Sequence, residues 1–203
     1  MYVPPAFGVD DDAAWAVVHD AGAGILVTPS TDGLLSVVAP VLVAADRATM
    51  SSHVARANPF WRAVTPDAEI LVIFLAASAY VSPSLYPSRA DEPGVVPTWN
   101  YVAAEVRGHA TVRDDPAWLR AQVTALTDRF EAGRDPRWWV ADAPEEYVER
   151  QLRAIVGIEI AVTSVVGKAK LSQNRPGVDH DSVREHLAQG GPTERNVAAR
   201  MRP

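Results

Sequence analysis

Residues 51–61 read Ser51-Ser52-His53-Val54-Ala55-Arg56-Ala57-Asn58-Pro59-Phe60-Trp61, a run that places two hydroxyls, an imidazole, a guanidinium and an amide close together in the chain. At the end of a strand these groups suit an oxyanion, because a phosphate takes a planar guanidinium in a bidentate contact and accepts from small hydroxyls beside it. Arg56, Ser51 and Ser52 supply that chemistry, Asn58 adds an amide donor, and Trp61 offers a wall for a ring. The competing assignment pairs Arg56 with a carboxylate, makes Asn58 the cap of the turn before Pro59, and puts Trp61 in the core. His53 is read either as a hydrogen-bonded structural histidine or as a ligand. Three further segments set hydrogen-bonding residues beside prolines and aromatics: Ala79-Tyr80-Val81-Ser82-Pro83-Ser84-Leu85-Tyr86, Pro97-Thr98-Trp99-Asn100-Tyr101 and Lys170-Leu171-Ser172-Gln173-Asn174-Arg175-Pro176. In them Trp99 is a second ring wall or a core residue. Lys170, Ser172, Gln173, Asn174 and Arg175 either meet a polar ligand edge or form a solvated strand end.

Other chemistries lack their residues. The chain has no cysteine, so thiolate catalysis, disulfides and cysteine-bound metals are excluded. It has no phosphate-binding Gly-rich loop, no Gly-x-Ser-x-Gly elbow and no His-Glu-x-x-His helix. His19, His53, His109, His180 and His186 do not sit at metal-ligand spacings. The pairs Asp114-Asp115 and Glu145-Glu146 fall at expected helix starts, where the macrodipole accounts for them. A formal charge of -6 and a pI near 5.3 argue against an electrostatic grip on nucleic acid. No apolar run approaches the roughly 18 residues of a membrane span, and Met1-Tyr2-Val3-Pro4-Pro5 carries neither the basic nor the apolar part of a signal peptide. A cytoplasmic protein that does not engage membranes is expected.

The elements that must position these residues follow from periodicity. Asp10 to Val18 predicts a capped helix ending by Gly22 and Gly24. Ile25–Thr28, Leu34–Ala44, Thr49–Ser52 and Glu69–Leu75 predict an antiparallel meander, with one helical turn at Pro59 carrying Phe60 and Trp61. Residues 82–97 hold four prolines and predict an exposed loop. A long strand from Thr98 to Val112 follows, then a helix from Pro116 to Phe130 with Leu119, Val123, Leu126 and Phe130 on one side. A second helix opened by Pro144 carries Val148, Leu152 and Ile155, and both helices are expected on the outside of a barrel. Strand resumes from Gly157 to Val166, turns at Gly167, and runs on to Gln173. One short helix is expected beyond Pro176, with Ser182 and Glu185 at capping-box spacing and Val183 and Leu187 facing in, followed by a loosely held tail after Gly191. The organisation predicted is one domain over residues 1–176, including a two-helix insertion at about 115–156, and a C-terminal helix and tail over 177–203.

Taken together, the four segments resemble the PaiB-type family of FMN-binding negative transcriptional regulators, and the likeness runs from Met1-Tyr2-Val3-Pro4 to Asn174-Arg175-Pro176. The resemblance implies an antiparallel split β-barrel with peripheral helices, an α+β fold of flavin-reductase type. It further implies a homodimer with two equivalent FMN sites at its interface. It places Ser51, Ser52, Arg56 and Asn58 toward the FMN phosphate, and Lys170, Ser172 and Gln173 toward the ring, with His53, Trp61, Trp99 and Asn100 in the same motifs. Five places depart from the pattern: Val38-Ala39-Pro40 for His-Leu-Pro, Ala76-Ala77-Ser78 for a Gly-Pro, Leu85 for a Trp, Ala104-Glu105 for Val-His, and Ala169 for a Trp. A lost aromatic stack costs about 0.5 to 1.5 kcal/mol, so a pocket that binds flavin several-fold more weakly is expected.

Three functions fit this resemblance. The first is an FMN-dependent redox enzyme acting on a small molecule, in which the flavin carries the chemistry. A branch similar to the family consists of haem-dependent piperazate synthases, which form a nitrogen–nitrogen bond, and it implies a haem with His53 as axial ligand. The third is a non-catalytic regulator or ligand sensor, although the chain shows no helix-turn-helix and the barrel alone is not expected to bind DNA.

Overall fold

The computed structural model describes residues 1–66, 68–92 and 94–201. They form strands β1 (Gly8–Val9), β2 (Ala23–Ser30), β3 (Gly33–Pro40), β4 (Leu42–Val43), β5 (Thr49–Ala55), β6 (Glu69–Val81), β7 (Thr98–Arg113) and β8 (Ile155–Lys170). The helices are α1 (Asp11–Ala21), α2 (Phe60–Ala63), α3 (Pro116–Glu131), α4 (Glu145–Arg153), α5 (Gly177–Ala188) and α6 (Pro192–Arg200). The chain divides into two compact units, the first from Met1–Ala21, Phe74–Glu105 and Val165–Pro203, the second from Gly22–Ile73 and Val106–Ser164.

The second unit explains the barrel. Its strands follow the order β3-β2-β6-β7-β8-β5-β4. The two ends of that order, β3 and β4, are separated in the chain by Val41 alone, so the sheet must curl until its edges meet. Alternation along β5 and β8 turns Met50, Ser52, Val54, Val156, Ile158 and Ile160 into the interior. The β2–β3 hairpin is as the meander predicts, with Ser30 opposite Gly33. Residues 34–44 are not one strand, however. The N–H of Val41 donates to Gly22 O at 2.9 Å, and β4 then pairs with β5. Asp115 caps α3 by accepting from the Trp118 N–H at 2.7 Å. Leu119 of α3 packs with Val148 and Leu152 of α4, flanked by Trp118, Val123 and Ile155.

In the first unit α1 buries Ala14, Trp15, Val17 and Val18, and β1 pairs with β8 through Gly8 opposite Lys168 and Val9 opposite Gly167. Gly167 is therefore a strand residue and not the turn its type suggested. A Cβ there would lie 2.4 Å from Val9 Cγ2 and 2.7 Å from Ala14 Cβ, so glycine serves close packing. The C-terminal segment also differs from expectation. α5 starts at Gly177, which leaves Ser182 and Glu185 inside it without a capping role, while Val183 and Leu187 are buried as expected. Beyond Gly191 the chain forms α6, opened by Pro192 and pinned by Asn196 Nδ2 to Ala76 O at 3.0 Å and by Arg200 to Asp20 at 2.9 Å. The last two residues of the expected tail, 202 and 203, lie outside the described residues. No helix among the described residues is long and apolar enough to cross a membrane.

Candidate functional site

The expected site residues fall into two groups. Ser51, Ser52, His53, Arg56, Asn58 and Trp61 belong to the second unit, and Trp99, Asn100, Lys170, Ser172 and Gln173 to the first.

In the second unit, strand periodicity separates residues that the sequence run had placed side by side. Ser52 points into the barrel, fully buried, and donates to Pro40 O at 2.7 Å. Ser51 and His53 point the other way, toward α3. His53 Nδ1 lies 2.9 Å from Gln122 Oε1; an amide oxygen only accepts, so Nδ1 is the donor in this contact and Nε2 faces away from it. Arg56 is taken up on all sides. Its Nε donates to Arg153 O at 2.8 Å, Nη1 to Asp114 Oδ2 at 3.0 Å, and Nη2 to Asp114 Oδ1 and to Ile155 O, the last at 3.0 Å. Hydrogen bonding to Arg56 holds the Asp114 carboxyl below the usual range, and Asp114 in turn raises the guanidinium. Asn58 Oδ1 accepts from the Phe60 N–H at 2.9 Å, and Trp61 Nε1 donates to Arg56 O at 3.0 Å. The carboxylate partner, the Asn58 turn and a half-buried Trp61 are what this unit contains, and they tie the end of β5 to the start of β8. Arg56 and Asp114, with Leu119, Arg120, Leu152 and Arg153, border a cavity of about 740 Å³.

In the first unit the polar residues do converge. Asn100 and Ser172 are both buried and bond each other twice, Nδ2 donating to Oγ at 3.0 Å and Oγ donating to Oδ1 at 3.1 Å. This pair fixes Ser172 at φ 64°, a left-handed conformation unusual for a residue with a side chain. Gln173 closes the turn, accepting from the Leu171 N–H at 2.7 Å and donating to Ala169 O at 2.5 Å. Lys170 Nζ donates to Trp99 O at 2.9 Å and to Thr98 Oγ1, and Lys168 Nζ to Tyr2 O at 3.1 Å. Burial, and then the repulsion of Lys168 and Arg175, hold the Lys170 ammonium below the usual lysine range. Trp99 is 55% exposed and meets Tyr80 edge-on with ring centroids 6.1 Å apart. Tyr86 and Arg175 belong with this cluster: the guanidinium lies 4.6 Å over the phenol ring. The tyrosine was visible in its segment, but nothing in the sequence marked it as a neighbour of the distant arginine.

The departures from the family pattern have local consequences. Glu105 receives the Met1 amine at 2.6 Å. Ala169, with Ala13, Ala16 and Ala199, lines a cavity of about 510 Å³ that also borders Gln173 and His180. Val38 is 72% exposed.

Residues 1–164 match the model of a family described as "Putative FMN-binding domain". The chain belongs to this family. It is 32% identical over 206 residues to the protease synthase and sporulation protein PAI 2 of Bacillus subtilis (strain 168), across 99% of this chain and 96% of that protein, which makes the family the PaiB type. Among solved structures, a conserved hypothetical protein of Mycobacterium tuberculosis superposes with a TM-score of 0.61 at 12% identity, covering 95% of this chain and 99% of the other. An FAD and haem binding protein of Mycobacterium smegmatis gives a TM-score of 0.58 at 15% identity, covering 79% and 71%. At such identities the likeness concerns the fold, the flavin-reductase-like split barrel with peripheral helices.

Proposed function

We propose that this member of the PaiB-type family is a flavoprotein that binds FMN and acts on a small molecule. The observation that carries the reading is the family match over residues 1–164. The first unit suits such a ligand. Lys170 is a partly desolvated cation without a carboxylate partner among the described residues, Trp99 offers an exposed indole face, and Asn100, Ser172 and Gln173 hold that strand end rigid. In the second unit Ser51 has no side-chain hydrogen bond among the described residues, whereas Ser52, Arg56 and Asn58 are satisfied internally. The donors of Arg56 are thus spent within the second unit and not left for a phosphate. Bound FMN supplies hydride and single-electron transfer, while the protein positions it and supplies positive charge. The partner is a second copy of this chain, meeting the exposed apolar residues Ile25, Leu34 and Val38 on β2 and β3.

Haem is the second reading, favoured by one observation. With Nδ1 held by Gln122, His53 presents Nε2 as the arrangement required of an axial ligand. The Mycobacterium smegmatis fold relative binds haem together with FAD. The visible spectrum of protein titrated with each cofactor separates the two. Flavin bands that shift on binding support FMN. A Soret band that His53→Ala abolishes, with no FMN bound, overturns the flavin reading.

A further inference from the structure

Within the first unit, Tyr86, Thr98, Asn100, Lys170, Ser172 and Arg175 line a cavity of about 100 Å³, room for more than one water. Tyr86 is 1% exposed, and its hydroxyl is buried without a hydrogen-bond partner among the described residues. A native fold seldom leaves such a group unpaired unless something else completes it. Burial and the nearby Asp179 keep this phenol protonated to higher pH than usual, against the charge and close approach of the Arg175 guanidinium, which stops short of hydrogen-bond geometry with the hydroxyl, so the phenol stands as a donor. The charges around it are unbalanced. Lys170 and Arg175, which line the cavity, form no salt bridge among the described residues, and their contacts are to a carbonyl, a hydroxyl and a ring. The carboxylate near Tyr86 is that of Asp179, fully buried and already occupied by the Ser88 N–H at 3.0 Å and the Ser88 Oγ at 2.6 Å. A neutral donor and uncompensated cations around a small cavity complement an acceptor-only, negatively charged group.

We propose that Tyr86, Arg175 and Lys170 form a binding site for a small oxyanion, the carboxylate or phosphate group of a small-molecule ligand. The left-handed turn at Ser172 builds the site, since the Arg175 N–H donates to Ser172 O at 2.9 Å and so brings the guanidinium back over Tyr86. The site shares Lys170 with the proposed flavin site and is tested on flavin-free protein, so that anion binding and flavin binding are read separately.

Isothermal titration calorimetry with inorganic phosphate, and separately with acetate, at constant ionic strength is the experiment. Saturable binding of either is expected, weakened about tenfold or more by Tyr86→Phe or Arg175→Gln. Tyr86→Phe is also expected to leave the unfolding midpoint of the anion-free protein unchanged or raised, because it deletes an unpaired hydroxyl and keeps the ring. Which anion binds tells carboxylate from phosphate chemistry. Displacement by FMN but not by riboflavin assigns the site to the cofactor's phosphate, and displacement by neither assigns it to a separate ligand. The proposal is overturned if the wild type binds neither anion, if both variants bind as the wild type does, or if Tyr86→Phe destabilises the protein without changing anion affinity.

Discussion

Arg56 and Lys170 are both cations in polar motifs, yet Arg56 has a carboxylate partner and Lys170 has none among the described residues. Arg56 spends its donors on Asp114 and on the carbonyls of Arg153 and Ile155, so Arg56→Ala is expected to lower the denaturant midpoint while leaving the ratio of FMN to riboflavin affinity unchanged. A loss confined to FMN would return Arg56 to the phosphate. Lys170→Ala is expected to weaken FMN by about one decade, the worth of a hydrogen bond from a charged donor. Asn100→Ala strands the buried Ser172 hydroxyl and is expected to cost about 1 to 3 kcal/mol in urea unfolding. The types and clustering of these residues were legible in the sequence. Their partners were not, because Asp114 stands 58 positions from Arg56, Gln122 69 from His53, and Ser172 72 from Asn100. Nor does a run of letters show that Ser51 and Ser52, adjacent in a strand, serve opposite faces.

Elements were legible where a local signal coincided with the tertiary role. The start of α3 is one case, since Asp115 and Pro116 are cap and first residue whatever packs above them. Gly167 and α6 show the opposite. Glycine in the first is demanded by Val9 and Ala14, and α6 is held by contacts to Ala76 and Asp20 that its own charged sequence does not announce. Gly108 carries the same logic into the barrel, because a Cβ there would lie 2.2 Å from the backbone oxygen of Ala161. Gly108→Ala is thus expected to destabilise by about 1 to 3 kcal/mol, as overpacking does, and an unchanged urea midpoint would contradict that packing. Where α3 meets β8, Arg113 and Trp118 both donate to Glu159, and the hydrogen bond from Arg113 foremost holds its carboxyl below the usual range. A carboxylate with a depressed folded pKa stabilises fully above its unfolded value and loses that contribution as pH falls through the folded one. Glu159→Gln should accordingly lower the midpoint at neutral pH and converge on the wild type in acid.

At the scale of the molecule, the split barrel was legible from the four segments and their resemblance to the PaiB type, and the route of the chain between its edges was not. A single residue, Val41, carries the chain from one edge strand to the other, which no periodicity reveals. The apolar face of β2 and β3 bears on assembly: Ile25 and Val38 are cross-strand neighbours, 43% and 72% exposed. Sedimentation velocity is expected to show a dimer at micromolar concentration and a shift to monomer on Val38→Lys. In the first unit Ala169 borders a cavity of about 510 Å³, and Trp99 is exposed. Equilibrium titration of the cofactor-free protein with FMN, followed by flavin fluorescence, tests the central claim most directly. Saturable binding of one FMN per chain, weakened by Lys170→Ala, is the predicted result; a folded protein that binds no FMN at all, or binds it equally well without Lys170 and Trp99, would contradict the account.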